Sequence, residues 1–171
     1  MNPLEKQFYL KVDNTEKTCP IGETVSKRNI VEGNTPVLSC EGACIRGEIA
    51  RLAANLVSKE QGFARACHGE LLSVPHSAMA EWVHQAEQVI LIDGCGLRCH
   101  GRFLDNLLDR SRVRQFNALA VYKKYSDIFD IDEVPEAERR QAARQVADKV
   151  LAALEKSEAP TVDCTCPGCE S

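Results

Sequence analysis

Thiols are the reactive groups this chain supplies in excess. Nine cysteines occur in 171 residues, and four of them fall where an apolar run gives way to a turn. Cys40 follows Val37-Leu38-Ser39, Cys67 follows Phe63-Ala64-Arg65-Ala66, and Cys95 and Cys99 follow Val89-Ile90-Leu91-Ile92-Asp93-Gly94. A thiolate is a strong ligand for borderline and soft metal ions, and zinc takes four of them in a tetrahedron at about 2.3 Å. Four sulfurs from three neighbouring loops meet that demand, and an iron–sulfur cluster accepts the same donors. If each loop opens a helix, the positive helix end favours thiolate over thiol and offsets the negative charge of the set. The competing reading is plain packing, since free cysteine is among the most buried residue types. Several thiols around one edge weigh against it.

Other reactive groups stand close by in the sequence. Cys44 is a fifth thiol, open to reading as an exchangeable ligand, a free nucleophile, half of a Cys40–Cys44 redox pair, or a packing residue. His68 and His100 each follow a proposed ligand directly. Adjacent residues point apart, so hydrogen-bonding support or solvent exposure is expected of them rather than ligation. Asp93 can accept from loop amides or hold a neighbouring side chain, and a local Asx turn is the most economical role. At the far end Cys164, Cys166 and Cys169 are spaced closely enough to chelate one ion, with Cys19 as an additional thiolate if the termini meet; a metal-scavenging tail is the alternative.

These residues need a scaffold, and from Thr35 the pattern alternates strand and helix, the signature of a parallel sheet covered by helices. Strands are expected at Val37–Cys40, Phe63–Cys67, Val89–Asp93 and Asn117–Tyr122. Ile45, Ile49, Leu52, Ala53, Leu56 and Val57 recur at spacings of three and four and predict an amphipathic helix ended by Gln61-Gly62. Further helices are expected over 77–88, with Ser73 or Ser77 at its start, and over 97–110, burying Phe103, Leu104, Leu107 and Leu108. A loop over 123–132 precedes a last helix opened by Pro135, with Ala143, Val146, Ala147, Val150, Leu151 and Leu154 as its stripe. The predicted fold is an α/β three-layer sandwich, its mainly parallel sheet of about four strands in the order 2-1-3-4. Open α/β sheets bind at the carboxyl ends of their strands, which is where the cysteines converge. Residues 1–34 read as an amino-terminal extension with a strand at Phe8–Val12, 35–156 as the α/β domain, and 157–171 as a flexible cysteine-rich tail.

The run VLSCEGACIRGEIARLAANLV, then GFARACHGEL, then VILIDGCGLRCHG resembles the DGC-domain family, named for the Asp-Gly-Cys that stands here as Asp93-Gly94-Cys95. The resemblance covers about residues 35–127. It implies zinc binding by Cys40, Cys67, Cys95 and Cys99, and supplies a site rather than a reaction. Two features depart from the family pattern: Cys44 stands where a small residue is usual, and the tail cysteines lie outside it. A rival enzyme reading comes from Cys40-Glu-Gly-Ala-Cys-Ile-Arg46, which is similar to the phosphate loop of low-molecular-weight tyrosine phosphatases and arsenate reductases. There a thiolate attacks an oxyanion that arginine and backbone amides hold. Gly47 replaces the hydroxyl of that loop, and the late Asp-Pro acid is missing.

Composition restricts the partners. Hydrophobic residues at 44% and charged residues at 27% are ordinary for a soluble protein, and a net charge of -4 offers no basic footprint for nucleic acid or an anionic membrane. No apolar run approaches the roughly 20 residues of a membrane span, and no secretory signal is read at the start. A cytoplasmic protein is expected, where cysteines serve metal or redox chemistry rather than a disulfide frame. A metal ion is the partner the sequence indicates; no protein partner or substrate can be named from it.

Overall fold

The computed structural model describes residues 9–156. Its strands β1 (Thr35–Ser39), β2 (Phe63–Arg65), β3 (Val89–Asp93) and β4 (Val113–Asn117) form one parallel sheet in the order β2-β1-β3-β4. Both the direction and the order agree with the sequence reading. Seven α-helices are described: α1 (Pro20–Glu32), α2 (Ile45–Val57), α3 (His68–Ser73), α4 (Ala78–Gln85), α5 (Cys99–Leu107), α6 (Ala118–Tyr122) and α7 (Glu136–Glu155).

The run Val89-Ile90-Leu91-Ile92 becomes the central strand because its side chains alternate between two apolar layers and all are buried. Val37, Ile90 and Ile92 meet α2, α6 and α7 on one face. Leu38, Val89, Leu91 and Val113 meet α3, α4 and α5 on the other. The chain therefore leaves β1 toward the first face, through α2, and leaves β3 toward the second, through α5. That divergence opens a crevice between the carboxyl ends of β1 and β3, the usual ligand position in such sheets. No helix among the described residues is long and apolar enough to cross a membrane.

Several expectations are corrected. The fourth strand is Val113–Asn117, and Ala118–Tyr122, taken for a strand, is helix α6. A short apolar run does not distinguish the two states; here Asn117 ends the strand and alanine and leucine open a helix. Leu104 on α5 and Leu108 just after it are buried as expected, but Phe103 and Leu107 are 43% and 38% exposed, because the helix stops at Leu107 and turns only a narrow stripe inward. The described residues of the proposed first strand, Tyr9–Val12, form none. Two helices escaped the sequence reading. Helix α1 packs on α4, with Ser26 against Met79, and buries the small and polar residues Gly22, Ser26 and Asn29, which carry no apolar stripe, and α3 is short. Ser77, not Ser73, caps α4 by accepting from the Ala80 amide at 3.2 Å.

Burial ranks the α5 residues by energy. Leu104→Ala is expected to cost about 2–5 kcal/mol in urea unfolding, and Leu107→Ala within about 0.5 kcal/mol. Equal losses would contradict the placement of α5.

Candidate metal centre

The crevice is built first by backbone contact. Cys40 extends the ladder by one residue, its amide donating to the Ile92 carbonyl at 2.9 Å. The chain then turns through Glu41-Gly42-Ala43 to Cys44, the N-cap of α2. Gly47, in the first turn of α2, lies so close to Gly42 that a Cβ there would overlap the Gly42 carbonyl. Gly94 rides over the same turn from the other side: its Cβ would stand 2.8 Å from the Arg46 carbonyl oxygen and 3.1 Å from the Gly47 nitrogen. Side chains at either position would force these backbones apart. Arg65 ties in the third segment, donating to the Val37 carbonyl and Ser39 Oγ at 2.9 Å and to Glu41 Oε1 at 3.1 Å.

The thiols follow that frame. Burial pushes the Cys40 thiol up, against the Gly42 and Gly94 amides, and Asp93 and Cys99 push the same way as burial. Cys95 is also raised by burial, opposed by the Leu97 amide and Arg46, with Cys99 and Cys44 adding to the rise. Cys40, Cys44, Cys95 and Cys99 thus share one electrostatic neighbourhood. Cys99 is the first residue of α5. Cys67 stands to one side as the exposed N-cap of α3, near enough to Arg65 to act on its charge. Cys19 caps α1, its Sγ accepting from the Gly22 amide at 3.4 Å. Cys164, Cys166 and Cys169 lie outside the described residues. Among the described residues, no three His, Cys, Asp or Glu side chains form a group that could hold an ion; the thiols border the crevice without meeting at one point.

Asp93 does not make the local turn expected of it. Its Oδ1 accepts from the His100 amide at 3.3 Å, which caps the first turn of α5, and its Oδ2 accepts from Gln115 Nε2 at 2.5 Å. Burial pushes this carboxyl up, while Gln115 and the His100 amide pull it back. Gln115 Oε1 in turn accepts from Arg98 Nε at 3.0 Å, holding Arg98 in a left-handed conformation (φ 53°) that a side chain rarely adopts. Gln115 and Arg98 were missed from sequence because the strand carrying Gln115 was placed too late.

The histidines also depart from expectation. The His68 ring is buried, 7% exposed, and lies edge-to-face with His100 at 4.5 Å between centroids. Burial, then His100 and Arg65, lower the pKa of His68 to about 3, so the ring is neutral. His68 Nε2 and His100 Nδ1 are both buried without a hydrogen-bond partner among the described residues.

Arg46 turns to Cys44. Burial resists ionisation of this thiol, but the Gly47 amide and then the Arg46 guanidinium and amide outweigh it and hold Cys44 below the ordinary thiol range. Tyr122, whose buried hydroxyl has no hydrogen-bond partner among the described residues, interacts electrostatically with the same pair. Guanidinium and thiol pairing at Cys44 is not the arrangement the phosphatase resemblance implied, in which arginine serves the first cysteine, Cys40.

Comparison with known families decides the kinship these motifs suggest: the DGC-domain model matches residues 36–147, from β1 into α7. The chain belongs to the DGC-domain family. No curated protein and no solved structure matches it. In this DGC domain the three signature residues divide the work. Asp93 braces α5, Gly94 allows the close approach to α2, and Cys95, half-buried, packs against the core on the α2 side.

Two outcomes follow for the DGC domain. Gly94→Ala is expected to destabilise by about 1–3 kcal/mol through forced backbone displacement, read by thermal unfolding; an unchanged melting temperature would contradict the close approach. Iodoacetamide near neutral pH is expected to label Cys44 before Cys40 and Cys95, with Arg46→Gln slowing that labelling severalfold in a peptide-mapped time course; equal rates would contradict the pairing.

Proposed function

We propose that this DGC domain binds one zinc ion through Cys40, Cys67, Cys95 and Cys99, in a structural or metal-handling role in the cytoplasm. What supports the reading is that Cys40, Cys95 and Cys99 follow the carboxyl ends of β1 and β3, with Cys99 acting electrostatically on the other two, while the buried carboxylate Asp93 is committed to Gln115 and α5. Sulfur donors without free carboxylates suit zinc and disfavour calcium or magnesium, which need oxygen. Cys67 would join the set from beyond β2, as the exposed N-cap of α3. Zinc would supply a fixed tetrahedral charge that neutralises the thiolates and cross-links three loops without redox chemistry. Cys44 stays outside the set, held by Arg46.

A second reading, a thiol-dependent enzyme, rests on Cys44 alone: a thiol of depressed pKa at the start of α2 beside a guanidinium is a nucleophile in form.

Elemental analysis of protein purified without added metal is expected to give about one zinc per chain, retained when the chain ends at Lys156. Cys95→Ser is expected to lose the ion and lower the melting temperature, as would a strong chelator. Iron with visible charge-transfer absorption would replace zinc by a cluster. Metal-free protein whose melting temperature ignores chelators would overturn the proposal.

A further inference from the structure

The segment that carries Cys95 and Cys99 is held by a side chain from outside all three cysteine-bearing runs. Val113 and Gln115, two apart in β4, share the strand face that Leu104 of α5 covers, and Gln115 is only 9% exposed. Its amide is used at both ends: Nε2 donates to Asp93 Oδ2 at 2.5 Å, while Oε1 accepts from Arg98 Nε at 3.0 Å and from Arg98 Nη2 at 2.7 Å. A donor and an acceptor on one planar group let it join a carboxylate to a guanidinium. Both partners then reach α5. Asp93 Oδ1 accepts from the His100 amide at 3.3 Å, and Arg98 Nη2 pairs with Asp105 Oδ2 at 3.0 Å. A Cβ at Gly101 would overlap the Gln115 amide, so the first turn of α5 seats directly against it.

Arg98 is the joint of this segment. Its amide donates to the Cys95 carbonyl at 3.2 Å, its carbonyl accepts from the Arg102 amide at 2.9 Å, and its backbone stands at φ 53°, between the turn that follows Cys95 and the helix that Cys99 begins. A left-handed arginine is unfavourable on its own and persists where surrounding contacts hold it. We infer that Gln115 is a positioning residue for the metal centre: by fixing Arg98 and Asp93 it holds Cys95 and Cys99 at one spacing before an ion arrives, and so sets how tightly the ion is kept. The inference rests on the zinc reading for the ion. Ligands already in place lose little backbone freedom on binding, which is where the affinity comes from. Gln115 acts through the loop, since its hydrogen bonds go to Asp93 and Arg98.

The test compares the full-length chain with two variants. Gln115→Met keeps the volume and removes both hydrogen bonds, and Arg98→Gly takes away the guanidinium at a backbone position that glycine suits, so it carries the test if the first variant fails to fold. Zinc affinity is measured by competition with a chromogenic chelator, and melting temperature with and without zinc. Both variants are expected to bind zinc about 10- to 100-fold more weakly, with a smaller rise in melting temperature on adding the ion. A purely structural Gln115 would lower the two melting temperatures equally and leave the affinity unchanged; that result overturns the inference and leaves the zinc reading standing. An unsubstituted chain that takes up no zinc overturns both.

Discussion

Everything at the carboxyl edge depends on one steric fact: the first turn of α2 is gripped between two glycine loops. The Gly42 backbone lies against Gly47 and the Gly94 backbone against Arg46 and Gly47, so closely that a side chain at Gly47 or Gly94 would not fit. That contact sets the width of the crevice between β1 and β3 and hence how near Cys40 comes to Cys95 and Cys99. The parallel sheet supplies the coarse alignment, because β1 and β3 end in register with their helices departing to opposite faces. The glycines then allow backbone contact between the β1–α2 and β3–α5 turns. Arg65 and the Asp93–Gln115–Arg98 chain hold the outer loops against this centre.

Crowding thiols in this way has an electrostatic cost. Cys40 and Cys95 are raised by burial and by each other's neighbours, so without a cation they stay protonated. Cys44 escapes because Arg46 and the amides opening α2 serve it individually. One crevice therefore holds two kinds of sulfur: thiols that need a metal to ionise, and one that a guanidinium already stabilises. Alongside, His68 and His100 pack edge-to-face, and the buried carboxylate of Asp93 is turned to structural use.

Much of this was legible in the sequence, and the limits have physical causes. Val89–Asp93 could be read with its bounds because a continuous aliphatic run ended by Asp-Gly admits little but a buried strand. The order 2-1-3-4 was read from the alternation of strand and helix expected of an open parallel sheet. Residues 113–122 resisted, since the edge strand β4 carries Arg114 and Gln115 while the following helix is the more apolar of the two. Helix α1 was invisible for a related reason: it docks through glycine, serine and asparagine, and periodicity reports only apolar faces. Spacing located the thiols but not their partners. The Arg46 contact with Cys44, the His68–His100 pair and the Gln115 brace arise between segments distant in sequence, where local pattern carries no information.

The central claim is that sulfur from separate loops shares one ion, and zinc K-edge X-ray absorption on the purified full-length chain addresses it most directly. The account predicts a dominant shell of about four sulfur scatterers near 2.3 Å. A shell made only of nitrogen and oxygen near 2.0–2.1 Å would show that the thiols do not hold the ion and would contradict it.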